Sequence, residues 1–238
     1  MTAFFKPAPS HVAPGDVRAP ALRIWDLPTR LFHWALALAV IGLIATGMNG
    51  IMEWHFRLGY AAMSLLLFRL IWGFIGGRWS RFSTFIYTPG ATMAYLRGRA
   101  HHPDHLVGHT PMGALSVFAV LVILIAQVAT GLVADDEIAS SGPLSQFVPG
   151  SVVNLATSWH TGAGKLIIIT LAILHVLAVL FYTWVKRYDL VRPMIHGDKQ
   201  ISNEATAPSR DDARFRVLAL VVFAICAGFT AWIASLRV

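Results

Sequence analysis

WHTGAGKLIIITLAILHVLAVL, residues 159–180, decides the fold. From Leu166 to Leu180 only Thr170 and His175 break a continuous apolar run. The segment 160–185 is long enough to cross a bilayer, which takes about 20 residues as a helix. A histidine inside such a run carries a polar ring into an environment that penalises it. His175 therefore needs a partner, and His160 begins the same segment.

Four further apolar runs flank this one, roughly 31–52, 55–77, 113–133 and 216–236. The second is interrupted by Arg57 and Arg69. With 56% hydrophobic and 13% charged residues over 238 positions, the chain is too apolar for an ordinary soluble domain. It carries a formal charge of +7. The charges fill the gaps between apolar runs, so they report membrane topology and not nucleic-acid binding. The single cysteine, Cys226, lies in the last run and has no internal disulfide partner.

The fold class expected is an all-α integral membrane bundle of five helices, four of them forming the core that carries the histidines. Residues 1–22 read as a tail and 23–198 as the four-helix domain, followed by a linker and fifth helix over 199–238. Five prolines within the first 30 residues and the lack of an early apolar core argue against a secretory signal. Fifteen lysines and arginines fall in the tail, the loop after the second span and the loop after the fourth. The other two loops have none, and one of them carries Asp135, Asp136 and Glu137. The positive-inside rule then sets the N-terminus in the cytoplasm and the C-terminus outside.

Topology gives each histidine a depth. His33 begins the first helix near the cytoplasmic side, while His55 and His160 begin the second and fourth near the outer side. His175 lies about 22 Å deeper than His160 at 1.5 Å per residue, level with His33. The expected pairs are His33 with His175 and His55 with His160. Two neutral imidazoles facing each other across a bundle are what a six-coordinate b haem requires.

Other residues agree. Arg69 lies on the face of His55, at the depth of the inner pair, where a buried guanidinium would suit a haem propionate. Gly47 shares the face of His33 at the outer depth, and Gly59 lies one turn from His55; both would let a macrocycle approach the backbone. Lys165 points away from His160 on an α-helix. HHPDHLVGH, residues 101–109, lacks regular ligand spacing and reads as a solvated loop. Seven of the eight tryptophans fall near span ends, as an aromatic belt predicts. Gln127 and Thr130 make the third span scaffold. The triplet ATG occurs at 45–47 and again at 129–131.

RIWDLPTRLFHW (23–34), WHFRLGY (54–60), the histidine pair of 159–176 and RYDLVRPMIHG (187–197) together resemble the bacterial cytochrome b561 family, which includes the b-type cytochrome subunits of nickel–iron hydrogenases. The resemblance covers about residues 22–198. It implies two b haems held through iron by His33, His175, His55 and His160, passing electrons between an outer-side donor and membrane quinone in a bacterial inner membrane. The implied partners are lipid, quinone and a periplasmic cytochrome c or dehydrogenase subunit, with a homodimer also open. Two alternatives stand beside this: a superoxide:quinone oxidoreductase acting alone, and a haem-free transporter or structural subunit. Quinone is expected at the cytoplasmic boundary, where Asp26, Arg30, Arg78 and His109 would supply polar and titratable groups.

Overall fold

The computed structural model describes residues 21–99, 107–138, 140–201 and 206–237. Five helical runs among them are long and apolar enough to cross a membrane: Leu27–Met48 (α1), Met52–Ile75 (α2), Pro111–Val133 (α4), the composite Gly150–Trp184, and Ala213–Ser235 (α8). The composite comprises Gly150–Ser158 (α5), a π turn over Trp159–Ala163, Gly164–Leu180 (α6), and a second π turn over Phe181–Val185. Two shorter helices, Pro89–Leu96 (α3) and Val191–His196 (α7), lie between spans. Two strands, Ala21–Arg23 (β1) and Asp198–Gln200 (β2), pair antiparallel.

The helices start where caps dictate, ahead of the rise in hydropathy. Asp26, Thr110 and Asp212 each accept a main-chain N–H three residues on, which opens α1, α4 and α8 at positions 27, 111 and 213. Pro28 and Pro111 occupy first turns, where no N–H is needed. The largest correction to the expected spans is the fourth. It begins at Gly150, so His160 sits ten residues into a helical run and not at its start. The run is not one straight rod: Gly162, with φ −106° and ψ −107°, leaves helical geometry and kinks the chain between α5 and α6.

Between α1 and α2 the chain reverses over three residues. Gly50 takes a left-handed φ of +68°, and the Ile51 amide donates to the Thr46 carbonyl, a Schellman closure. The tight turn makes α1 and α2 antiparallel neighbours. One hydrophobic core runs through Phe32 and Leu36 of α1, Leu66, Phe68 and Trp72 of α2, Leu121 and Leu124 of α4, and Ile168 of α6. It continues into α8 through Phe215, Ala219, Val222 and Cys226. The Trp72 and Phe215 rings lie 4.8 Å apart, tying α8 to α2. Outward faces are apolar: Phe74 is 73% and Leu38 69% exposed. Long rows of such residues face lipid. The chain is a multi-pass membrane protein.

The two ends of the bundle differ. At the basic end, β1 and β2 pair across the boundary drawn at residue 198, and Arg23 bridges Asp198 at 2.7 Å and Asp211 at 3.0 Å. The segment after 198 is therefore knitted into the bundle. Trp72, Trp25 and Trp79 are buried here, at 0%, 8% and 6% exposure, and so belong to the core and not to an aromatic belt. Trp34, Trp54 and Trp184 stay exposed.

Asp26 organises this end. Its carboxylate is fully buried and accepts from the Thr29 amide (2.8 Å), Trp72 Nε1 (3.2 Å), the Gly77 amide (3.2 Å) and Ser80 Oγ (2.7 Å). It thereby caps α1 and fastens it to α2 and the following loop. Asp26→Ala would strand several buried donors and remove a cap, and is expected to cost about 3 kcal/mol. Asp26→Asn, which keeps one acceptor oxygen, should cost less. Unfolding of the detergent-solubilised variants measures both; wild-type stability of the alanine variant would contradict the hub role.

Candidate functional site

The structure brings the four membrane histidines together in two pairs. His33 and His175 have ring centroids 6.3 Å apart and planes at 52°; His55 and His160 are 6.0 Å apart with planes at 88°. Two imidazole nitrogens each about 2 Å from one metal ion, with ring radii of about 1.1 Å, put centroids about 6 Å apart. Both separations match a single ion held between two rings. Among the described residues no group of three or more His, Cys, Asp or Glu side chains forms a metal site. The donor set is thus two pairs of imidazoles, which suits a metal whose remaining ligands come from a macrocycle.

The pair at the acidic end is the more fully built. His55 Nδ1 lies 3.0 Å from the Leu43 carbonyl of α1, and His160 Nδ1 lies 2.8 Å from the Gln127 carbonyl of α4. Carbonyls only accept, so each Nδ1 carries the proton and each Nε2 keeps its lone pair for a metal. Gln127 holds His160 a second time, its Nε2 donating to the His160 carbonyl at 2.7 Å. The rings border a cavity of about 340 Å³ walled by Gly47, Gly59, Gly131, Leu43, Val128 and Ile168.

Lys165, Asp135 and Asp136 line this cavity too. The expectation that Lys165 points away from His160 assumed a regular α-helix. The intervening turn is irregular: the Gly164 amide reaches back five residues to the Trp159 carbonyl, and Gly162 (φ −106°, ψ −107°) kinks the chain between His160 and Lys165, so α-helical spacing does not apply across it. Arg57, by contrast, is paired with Glu53 and stacked over Trp54.

At the basic end, His33 Nδ1 is buried without a hydrogen-bond partner, and residues 173–178 of α6, His175 among them, are exposed. Arg69 is 4% exposed; its guanidinium lies over the Phe82 ring at 4.7 Å, and Nη1 has no partner. A buried cation with a free donor calls for an anion. His109 does not match the solvated loop expected of it. It is packed between Trp25 and Phe85, at 4.8 and 4.3 Å, and burial, reinforced by the charges of Arg69 and Lys199, pushes its pKa down to about 3. It is neutral at physiological pH. The remaining histidines of that cluster, His101, His102 and His105, lie outside the described residues. Of the titratable groups expected to serve quinone, Asp26 is saturated with donors and His109 is uncharged, which leaves Arg30 and Arg78.

Four contributors were not singled out as site residues from the sequence: Leu43 through its carbonyl, Thr46, Gln127 and Gly131. A backbone carbonyl leaves no mark in a sequence. The repeated ATG is the one signal that marks this group.

The prokaryotic cytochrome b561 family matches residues 24–197. Curated relatives include the probable Ni/Fe-hydrogenase B-type cytochrome subunits of Azotobacter chroococcum (24% identical, over 77% of this chain and 90% of the relative), Cupriavidus necator (26%, over 74% and 86%) and Rhodobacter capsulatus (25%, over 79% and 84%). No solved structure matches significantly.

Proposed function

The chain belongs to the prokaryotic cytochrome b561 family, and from that premise we propose that it carries electrons across the bacterial inner membrane through two b haems, between an outer-side redox partner and membrane quinone. His33 and His175 would hold one haem and His55 and His160 the other. The observation that carries this is the pairing itself: two imidazole pairs, at 6.3 and 6.0 Å, at opposite ends of one bundle. Bound there, the haems supply one-electron chemistry across the membrane.

The chain's own residues supply ligation, orientation and dielectric. The Leu43 and Gln127 carbonyls fix the outer imidazoles, and the free Nη1 of Arg69 is suited to a propionate of the inner haem. The charge distribution favours the acidic end facing the periplasm. The relatives' names point to a hydrogenase-type dehydrogenase as the outer partner. Quinone is assigned to the basic end, where a cavity of about 390 Å³ lies between the ends of α2 and α8, lined by Gly76, Gly77, Arg78, Arg81, Arg210 and Phe215.

A reconstitution tests transmembrane transfer. Vesicles containing the haem-loaded protein and entrapped ferricyanide should reduce it when quinol is added outside, and His33→Ala or His55→Ala vesicles should not. Equal rates with and without the protein would contradict transmembrane transfer. A photoreactive quinone should label residues 26–33 and 76–81; labelling confined to 48–60 and 155–165 would move its site to the acidic end.

A further inference from the structure

The two ATG triplets, Ala45–Thr46–Gly47 on α1 and Ala129–Thr130–Gly131 on α4, make the same three contacts with different histidines. Each glycine lies against an imidazole from the neighbouring helix. A Cβ at Gly47 would sit 3.1 Å from both Cε1 and Nδ1 of His55, and one at Gly131 would sit 2.7 Å from Cε1 and 3.1 Å from Nδ1 of His160. In each case the carbonyl four residues before the glycine, Leu43 or Gln127, faces the ring's Nδ1. Each threonine hydroxyl then bonds back into its own helix. The Thr46 hydroxyl is shared between the Gly42 and Leu43 carbonyls at 2.7 and 3.3 Å, and the Thr130 hydroxyl between those of Ala126 and Gln127 at 2.7 and 3.1 Å; Thr46 Oγ1 differs in also lying 3.3 Å from His55 Nδ1, as an acceptor when Nδ1 carries the proton.

The geometry explains why these residue types recur together. On a helix the carbonyl of residue i−4 lies beneath the side chain of residue i, so a Cβ there would block a ring approaching from the side. Glycine uncovers it. Threonine back-bonding draws carbonyls out of the helical ladder, and the i−3 carbonyl it reaches is the one that faces the histidine. The His33–His175 pair shows no such arrangement on His33, whose Nδ1 is unpartnered.

We propose that the ATG triplets are paired histidine sockets. They hold His55 and His160 in the Nδ1–H form and set their planes near perpendicular, so that both imidazoles that would ligate the outer haem are held from behind by helix carbonyls. Thr46, Gly47, Thr130 and Gly131 are then positioning residues for the metal ligands. This rests on the assignment of His55 and His160 to one haem. A hydrogen bond to the far nitrogen raises ligand basicity, and losing such a support costs about 10–100-fold in metal affinity.

The test uses the haem-loaded full chain, read by potentiometric titration, by the electron paramagnetic resonance of each ferric haem, and by haem loss to an apoprotein scavenger. Gly131→Ala should weaken outer-haem retention about tenfold or more and move its resonance, leaving the inner haem as an internal control of folding. Gly47→Ala, with the looser contact, should do so less. Thr130→Val should raise the outer potential, because a weaker Nδ1 bond makes a poorer donor to ferric iron; Thr130→Ser should restore it. Gly228→Ala, where a Cβ meets nothing within 4 Å, is the control for the substitution itself. If His55→Ala removes the outer haem but Gly131→Ala and Thr130→Val behave like Gly228→Ala, the sockets are wrong and the haem assignment stands. If His55→Ala leaves both haems in place, the assignment fails and the sockets with it.

Discussion

His55→Ala and His160→Ala should each remove the same haem and leave the other, taking the content from about two haems per chain to about one; His33→Ala and His175→Ala should each remove the second. The rings within a pair are only 6.0 or 6.3 Å apart, and they lie at opposite ends of helices about 30 Å long. Each ion therefore depends on one pair alone. Deleting one imidazole would leave a haem at that pair with one protein ligand in place of two, and its retention through detergent purification should fall accordingly. Stoichiometry with low-temperature spectra of the four variants reads the outcome. Loss of different spectral components from His33→Ala and His175→Ala would contradict the pairing.

Arg69→Leu should lower the potential of the inner haem and leave the outer one close to its wild-type value. Arg69 is nearly fully buried, its Nη1 is unpartnered, and Asp26, the nearby carboxylate, already accepts four hydrogen bonds. Removing a positive charge makes adding an electron harder, so the sign is downward. Burial keeps the effective dielectric low, so the shift should be tens of millivolts and not a few. Arg69→Lys should retain most of that, though not a bidentate contact. A redox titration resolving two components decides it; an unmoved inner component would mean that Arg69 serves an anion other than a haem propionate.

The spans, their alternation and the two histidine pairs were legible because each rests on a property a sequence carries directly: apolar length, loop charge and residue count converted to depth. His175 had to lie level with His33 once both sat on helices of known direction. Local geometry was less legible. Nothing in WHTGAG announces the kinked turn at Gly162, which breaks the helical spacing between His160 and Lys165, and Lys165 lines the His160 cavity. The cap at Pro149 and the length of α5 were hidden because GSVVNLATS is not apolar enough to extend the span. His109 and Trp72 read as loop and interface residues because their positions near span ends say nothing of the layer that closes over them. That layer is built by tertiary contacts: Asp26 with Trp72 and Ser80, and Trp25 and Phe85 against His109. The ATG repeat was visible in the sequence, but its meaning depends on which neighbouring ring each glycine faces.

The most direct measurement is the haem content and reductive titration of the purified wild-type chain. The proposed function requires about two non-covalently bound b haems per chain, both low-spin with two axial histidines and titrating as two one-electron components. A colourless protein, or one that saturates at a single haem with either histidine pair dispensable, would contradict it.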